Sequence, residues 1–211
     1  MKKLLFWIVL IVGTVVLLGS CAEKEESTTA VAVTSTTASG SITVGSETLS
    51  GTYVSPCWSG GGLVATFASS GALPSDSVAI RNILVVTSDT SISEEMYVYA
   101  DATCSTTSYY SKDGNTSFTV GDALGDYYKV TYTETTNKFI AGTTAAKTWW
   151  EAMFLAAGLT IDLTVGTEVS GSGSGKNLLN LFSVTSTTVQ HGEDDNATQP
   201  TEMDSQVMTK Q

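Results

Sequence analysis

Histidine is almost missing from this chain: 211 residues contain one, His191. Acid–base catalysis and transition-metal binding lean on imidazole, so a single copy leaves little for either. No Gly-x-Ser-x-Gly turn is present to expose a nucleophilic serine. The Gly/Ser run from Gly171 to Gly175 reads as a turn, with no helix after it to make a phosphate loop. Charge is scarce, at 15% of residues, and ten basic side chains face 21 acidic ones, for a net charge of -11 and a pI near 4.3. That balance argues against nucleic acid, which asks for a basic face, and against electrostatic attraction to anionic lipid. Long apolar runs are confined to one, Leu4 to Leu18. Cysteine is limited to three, Cys21, Cys57 and Cys104. What fills the polar positions instead is Thr, Ser and Gly, the composition of an exported, strand-rich protein.

The apolar run comes after Lys2 and Lys3 and ends in Leu18-Gly19-Ser20-Cys21. A basic start, an apolar middle and small residues at the end are the order of a secretory signal, and the run is short for a membrane span. Leu-Gly-Ser-Cys resembles the lipobox of bacterial lipoproteins. The resemblance implies that residues 1–20 are a signal peptide and that Cys21 is diacylated and becomes the new N-terminus. Two acyl chains suffice for persistent attachment, so the first partner expected is the lipid bilayer, reached through Cys21. In Gram-negative lipoproteins an Asp after the lipidated Cys favours the inner membrane; here Ala22 stands there, which favours the outer membrane in such a host. With Cys21 assigned to lipid, Cys57 and Cys104 remain, and in an oxidising compartment a remaining pair is expected to form a disulfide. Two thiols and His191 do not make a zinc set.

Residues 21–45 carry Glu23, Glu25 and Glu26 and then a Thr/Ser/Ala tract without aromatics, the composition of a disordered tether. The folded domain is expected over 46–211. Strands are expected at Leu49 to Val54, Leu63 to Ala68, Val78 to Thr87, Glu95 to Asp101, Thr106 to Ser111, Thr116 to Val120 and Tyr127 to Thr135. The Asp113-Gly114 pair reads as a tight hairpin turn. Tyr128, Val130 and Tyr132 share one strand face, as do Met96 and Val98. The period then changes: Ala146, Trp149, Trp150, Met153, Phe154 and Ala157 recur at helical spacing, with Thr143 or Thr144 to cap the start and Gly158 to end it. Trp149 and Trp150 are read as core-facing. Leu159 to Val165 alternates as a strand, Leu178 to Ser183 and Thr187 to Gln190 come next, and Val207 and Met208 are placed on an edge strand.

About eight or nine strands in sequential hairpins make a mostly β, antiparallel meander, which hides its edges most simply as an up-and-down barrel. An immunoglobulin-like β-sandwich is the alternative. Gly51-Thr52-Tyr53-Val54, Cys57 and Tyr99-Ala100-Asp101-Ala102-Thr103-Cys104 resemble motifs of a group of small bacterial lipoproteins with a lipocalin-like barrel. That resemblance implies the fold more than a function. No catalytic residue, metal ligand or cofactor is assigned, and the chain is expected not to be an enzyme. Glu94 and Glu95 are adjacent on a strand and so point to opposite faces. Glu193 to Asn196 reads as a solvated acidic loop rather than a calcium site, and His191 as a solvent-exposed strand end. The sequons at Asn115 and Asn196 read as chance. The expected function is a non-catalytic interaction or structural module at the cell envelope, its interior filled by aromatic side chains. The alternative is a carrier of a small apolar ligand in a hollow barrel.

Overall fold

The computed structural model describes residues 31, 33, 35–193 and 198–211. Its elements in chain order are β1 (Ile42–Val44), β2 (Glu47–Leu49), β3 (Thr52–Val54), α1 (Leu63–Ser69), β4 (Ala79–Ser88), β5 (Ser91–Tyr99), β6 (Thr107–Leu124), β7 (Tyr127–Ala141), α2 (Thr144–Ala156), β8 (Glu168–Ser172), β9 (Asn177–Val184), β10 (Thr188–Gly192) and β11 (Met203–Lys210). Eight of the strands, β3 to β7 and β9 to β11, pair antiparallel with their neighbours. β11 returns to β3, and the sheet is closed. Closure removes the exposed edges that the sandwich alternative would leave. β7 is long enough to serve two partners on one side: β9 along Tyr128 to Thr133 and β8 along Thr136 to Ile140.

The two ends are closed differently. Ile42, Val44 and Leu49 of the β1–β2 hairpin are buried with Tyr53, Leu84, Val86, Phe118, Tyr132 and Phe182, so a hairpin plugs one end. At the other end Val64 and Ala68 of α1 and Ala146 of α2 pack with Val98 and Tyr109. Thr143 caps α2, accepting from Ala146 N at 3.1 Å, and Gly158 ends it at φ 80°. Trp150 lies on Phe139 at 4.4 Å and Trp149 on Tyr109 at 5.7 Å. The helix thus contributes its aromatic stripe to the barrel end, as its spacing indicates.

Several elements differ from the sequence expectation. The ordered chain begins before residue 46. Ser39 N donates to Val86 O at 2.8 Å, and Ile42 and Val44 are buried. Leu63 to Ala68 is helix, not strand. Gly61 and Gly62, both at positive φ, turn the chain after an isolated bridge between Trp58 and Ile80. The short segment beyond these glycines can bury one stripe across the barrel end but has no strand edge left to join. Asp113-Gly114 is not a turn. β6 continues through it, with a register shift against β7 between Gly114 and Asn115, and Gly114 is there for close approach, since a Cβ would come within 2.3 Å of Thr136 Oγ1. The tight turn comes instead at Gly125, φ 63°. Residues 159–165 form no strand: Leu163 N is taken by the Glu151 carboxylate at 2.9 Å, so the segment packs on α2. Ser170 to Ser172, expected within the Gly/Ser turn, belong to β8. β11 is not an edge strand but closes the barrel between β10 and β3.

Cys57 and Cys104 form a disulfide with a Cα–Cα distance of 6.0 Å. It ties the segment after β3 to the loop between β5 and β6. Asp101 organises that loop by accepting from the backbone N–H groups of Thr103, Ser105 and Thr106 at 2.8, 3.2 and 2.6 Å. These bonds hold its carboxyl well below the usual carboxylate range, with the Thr103 hydroxyl as the largest cause. Among the described residues no helix is long and apolar enough to cross a membrane. Cys21 and residues 1–20 lie outside the described residues.

Candidate functional site

Strand alternation decides which side chains meet inside the barrel. From β4 to β7 the inward register runs Leu84 opposite Glu94, Glu94 opposite Asp113, and Asp113 opposite Asn137. One step along, Asn115 stands opposite Glu134. The same face of β7 continues through Tyr132, Val130 and Tyr128, and its β9 partners there are Leu178, Asn180 and Phe182. These residues do not fill the interior. A cavity of about 430 Å³ remains, within the range of small-molecule sites. The expectation of a filled core is therefore corrected: the aromatic side chains of Trp58, Phe67, Tyr109, Tyr132 and Trp149 line a cavity rather than fill it.

The cavity has two characters. Toward the helical end it is lined by Trp58, Phe67, Leu73, Tyr109 and Trp149. Trp149 is pinned there by donating Nε1–H to Gly71 O at 2.9 Å. Toward the middle of the barrel the lining is polar and acidic, with Glu94, Asp113, Asn115, Glu134, His191 and Asp204. Glu94 is the hub. Its Oε2 accepts from Asn115 Nδ2 at 2.7 Å, its Oε1 accepts from Tyr132 Oη at 3.4 Å, and Asn180 Nδ2 donates to Tyr132 Oη at 3.3 Å. Glu95 turns the other way, as adjacent strand residues must. It accepts from Thr36, whose hydroxyl also accepts from Lys112 Nζ at 2.7 Å.

His191 is not an exposed strand end. It stacks on Phe182 at 4.7 Å and lines the cavity, with Nδ1 3.6 Å from Glu94 Oε1, too long for a hydrogen bond. Burial pushes the imidazole down to about 4, against the opposing pull of Asp204, so it is neutral at pH 7. Asp113 is moved the other way. Burial raises its carboxyl to about 6, the Asn137 amide opposes that by donating to it, and Glu134 adds to the rise.

These two shifts have opposite consequences for stability. Asp113 ionises near 3.8 when unfolded and near 6 when folded. Its stabilising contribution is complete below about pH 4 and is lost as pH rises through 6. His191 is depressed from 6.5 to about 4, so its contribution is present above pH 6.5 and is lost as pH falls through 4. Asp113→Asn is therefore expected to stabilise the fold at pH 8 by ~1–3 kcal/mol and to leave it unchanged at pH 3.5. Urea unfolding at both pH values checks this. An equal effect at both, or a loss at pH 8, would contradict the assignment.

No family model matches the chain, and no curated protein matches it significantly. The functional reading therefore rests on the cavity. Among the described residues no group of three His, Cys, Asp or Glu side chains is close enough to hold a metal ion. Of the residues singled out in the sequence, the structure brings Glu94, Asn115, Trp149 and His191 to the cavity and Cys57 and Cys104 together. It keeps the disulfide away from the cavity lining. Asn115 is 1% exposed, so its sequon is closed to glycosylation. The residues at 194–197, including most of the acidic run and the Asn196 sequon, lie outside the described residues. In the sequence Asp113 reads only as part of a turn, and Glu134 and Asp204 are not singled out as site residues. A signal existed for two of the carboxylates. Glu94 continues the face of Met96 and Val98, and Glu134 continues that of Tyr128, Val130 and Tyr132, so each is a charge at the end of an inward stripe.

Proposed function

We propose that this is an exported, lipid-anchored protein that carries one small molecule inside its barrel. The observation that supports the reading is the cavity of about 430 Å³, lined at one end by Phe67 of α1 and Trp149 of α2. A barrel of this strand number either fills with side chains or holds one ligand, and an open, partly aromatic interior favours the second use. Attachment is assigned to Cys21, with the barrel standing in the envelope on the short segment that precedes Ser39. The chemistry is assigned to binding. The imidazole of His191 is neutral at pH 7, stacks on Phe182 and faces the Glu94 carboxylate. Envelope interaction is the second reading, favoured by Leu155 and Leu159, which are 66% and 57% exposed at the end of α2.

Mass spectrometry of the protein purified from its host tests both parts. Under native conditions a discrete retained mass, released on denaturation, is the expected result. The denatured chain is expected to begin at Cys21 and to carry acyl groups. A native mass equal to the bare chain in every preparation would count against the carrier. An intact leader with an unmodified Cys21 would remove the anchor.

A further inference from the structure

Inside the cavity the charges are of one sign. Glu94, Asp113, Glu134 and Asp204 line it, and among the described residues that do so there is no lysine or arginine. Glu94 and Asp113 are directly opposed on neighbouring strands, a placement of like charges that costs stability. Asn115 adds an independent observation. It is 1% exposed and lines the cavity, and its Nδ2 is engaged by Glu94 while its Oδ1 has no partner among the described residues. A buried carbonyl oxygen left without a donor costs stability. His191 Nε2 has no partner among the described residues either. The open valence of Asn115 Oδ1 is that of an acceptor, which a donor carrying positive charge satisfies. The opposite end supplies Trp58, Phe67, Tyr109 and Trp149, faces suited to an apolar body and, through their π-electrons, to a cation nearby.

Resting on the carrier reading above, we propose that the ligand is a protonated organic amine. Its ammonium group would be held by Glu94, Asp113 and Asn115, and its aromatic or aliphatic body would lie against Trp149 and Tyr109. The ammonium charge offsets that of Asp113, which burial and Glu134 disfavour, and its N–H groups satisfy the Asn115 oxygen. The raised carboxyl of Asp113 agrees with this, since a desolvated acid lacking a cationic partner behaves so. The arrangement gives up stability for a site that a cation completes.

Three probes of one shape and different charge decide the matter: 2-phenylethylamine, 2-phenylethanol and 3-phenylpropanoate. Each is titrated at pH 7.5 into the full chain purified from its host, by calorimetry and by tryptophan fluorescence. The amine is expected to bind at least tenfold more tightly than the alcohol, and the carboxylate not to bind. In Glu94→Gln with Asp113→Asn the amine's advantage over the alcohol is expected to disappear. Should the pair of substitutions impair folding, Asp113→Asn alone is read, since that change is expected to stabilise. Equal binding of amine and alcohol, or any preference for the carboxylate, overturns the amine while leaving a carrier. Failure of all three probes also overturns it, and together with a bare native mass it removes the carrier as well.

Discussion

Phe182→Ala is expected to lower the unfolding free energy by about 3–5 kcal/mol, the usual range for removing a buried aromatic ring. The ring is 0% exposed. It meets Phe118 edge-on at 5.4 Å and lies flat on His191 at 4.7 Å. Its strand is flanked by β7 and β10 at the centre of the closed sheet, so the neighbours cannot collapse into the space without breaking ladder pairs. The same change opens the wall that keeps His191 dry. Its imidazole is therefore expected to rise from about 4 toward 6.5. Denaturant unfolding gives the first quantity and an NMR titration of the single histidine gives the second. A loss below about 1.5 kcal/mol would mean that the layer is less closely packed than described. An unmoved titration would mean that the ring does not shield the imidazole.

Loss of the disulfide has an effect of similar size through the other side of the equilibrium. The bond closes a loop with a sequence separation of 47. Constraining the unfolded chain over such a loop is worth about 4 kcal/mol in the loop-entropy treatment, and ~2–4 kcal/mol is the usual observed range. The double variant Cys57→Ser, Cys104→Ser should lose that amount, and the unaltered protein should lose as much when reductant is added. Since domains are stable by only about 5–15 kcal/mol, this is a large share. The cavity should survive, because the bridge lies outside it, so ligand binding below the unfolding transition is expected to persist. A stability change under about 1 kcal/mol, or different losses by mutation and by reduction, would contradict this account.

The two changes show how unevenly the fold could be read beforehand. Where a segment has a repeating apolar period and its own punctuation, the sequence sufficed. The Tyr128-Val130-Tyr132 face of β7 and the capped aromatic stripe of α2 are examples, because period and caps are local properties. Asp113-Gly114 misled, because a glycine that permits a turn also permits close approach to another strand, and only Thr136 decides which it does here. Leu63 to Ala68 misled because a six-residue apolar run suits either period. The strand edge it would have joined is absent, and the open barrel end it covers is a product of closure. Leu159 to Leu163 alternates well, yet the Glu151 carboxylate takes the Leu163 amide that a strand partner would need.

The site was least legible of all. Glu94, Asp113, Glu134 and His191 are scattered over about a hundred positions of chain and share no spacing. Their meeting is a matter of register around a closed sheet. Composition and order by themselves determined that the protein is acidic, strand-rich and poor in catalytic side chains. Local period placed one helix and several strands, and reading Cys21 as a lipidation site left a pair of cysteines to be joined. Tertiary structure alone decided that the barrel holds a cavity, that carboxylates line part of it, and that the lone histidine faces it. The reason is physical. Alternation fixes which residues share a face, but only closure fixes which face is inside and which carboxylates must then lie against one another.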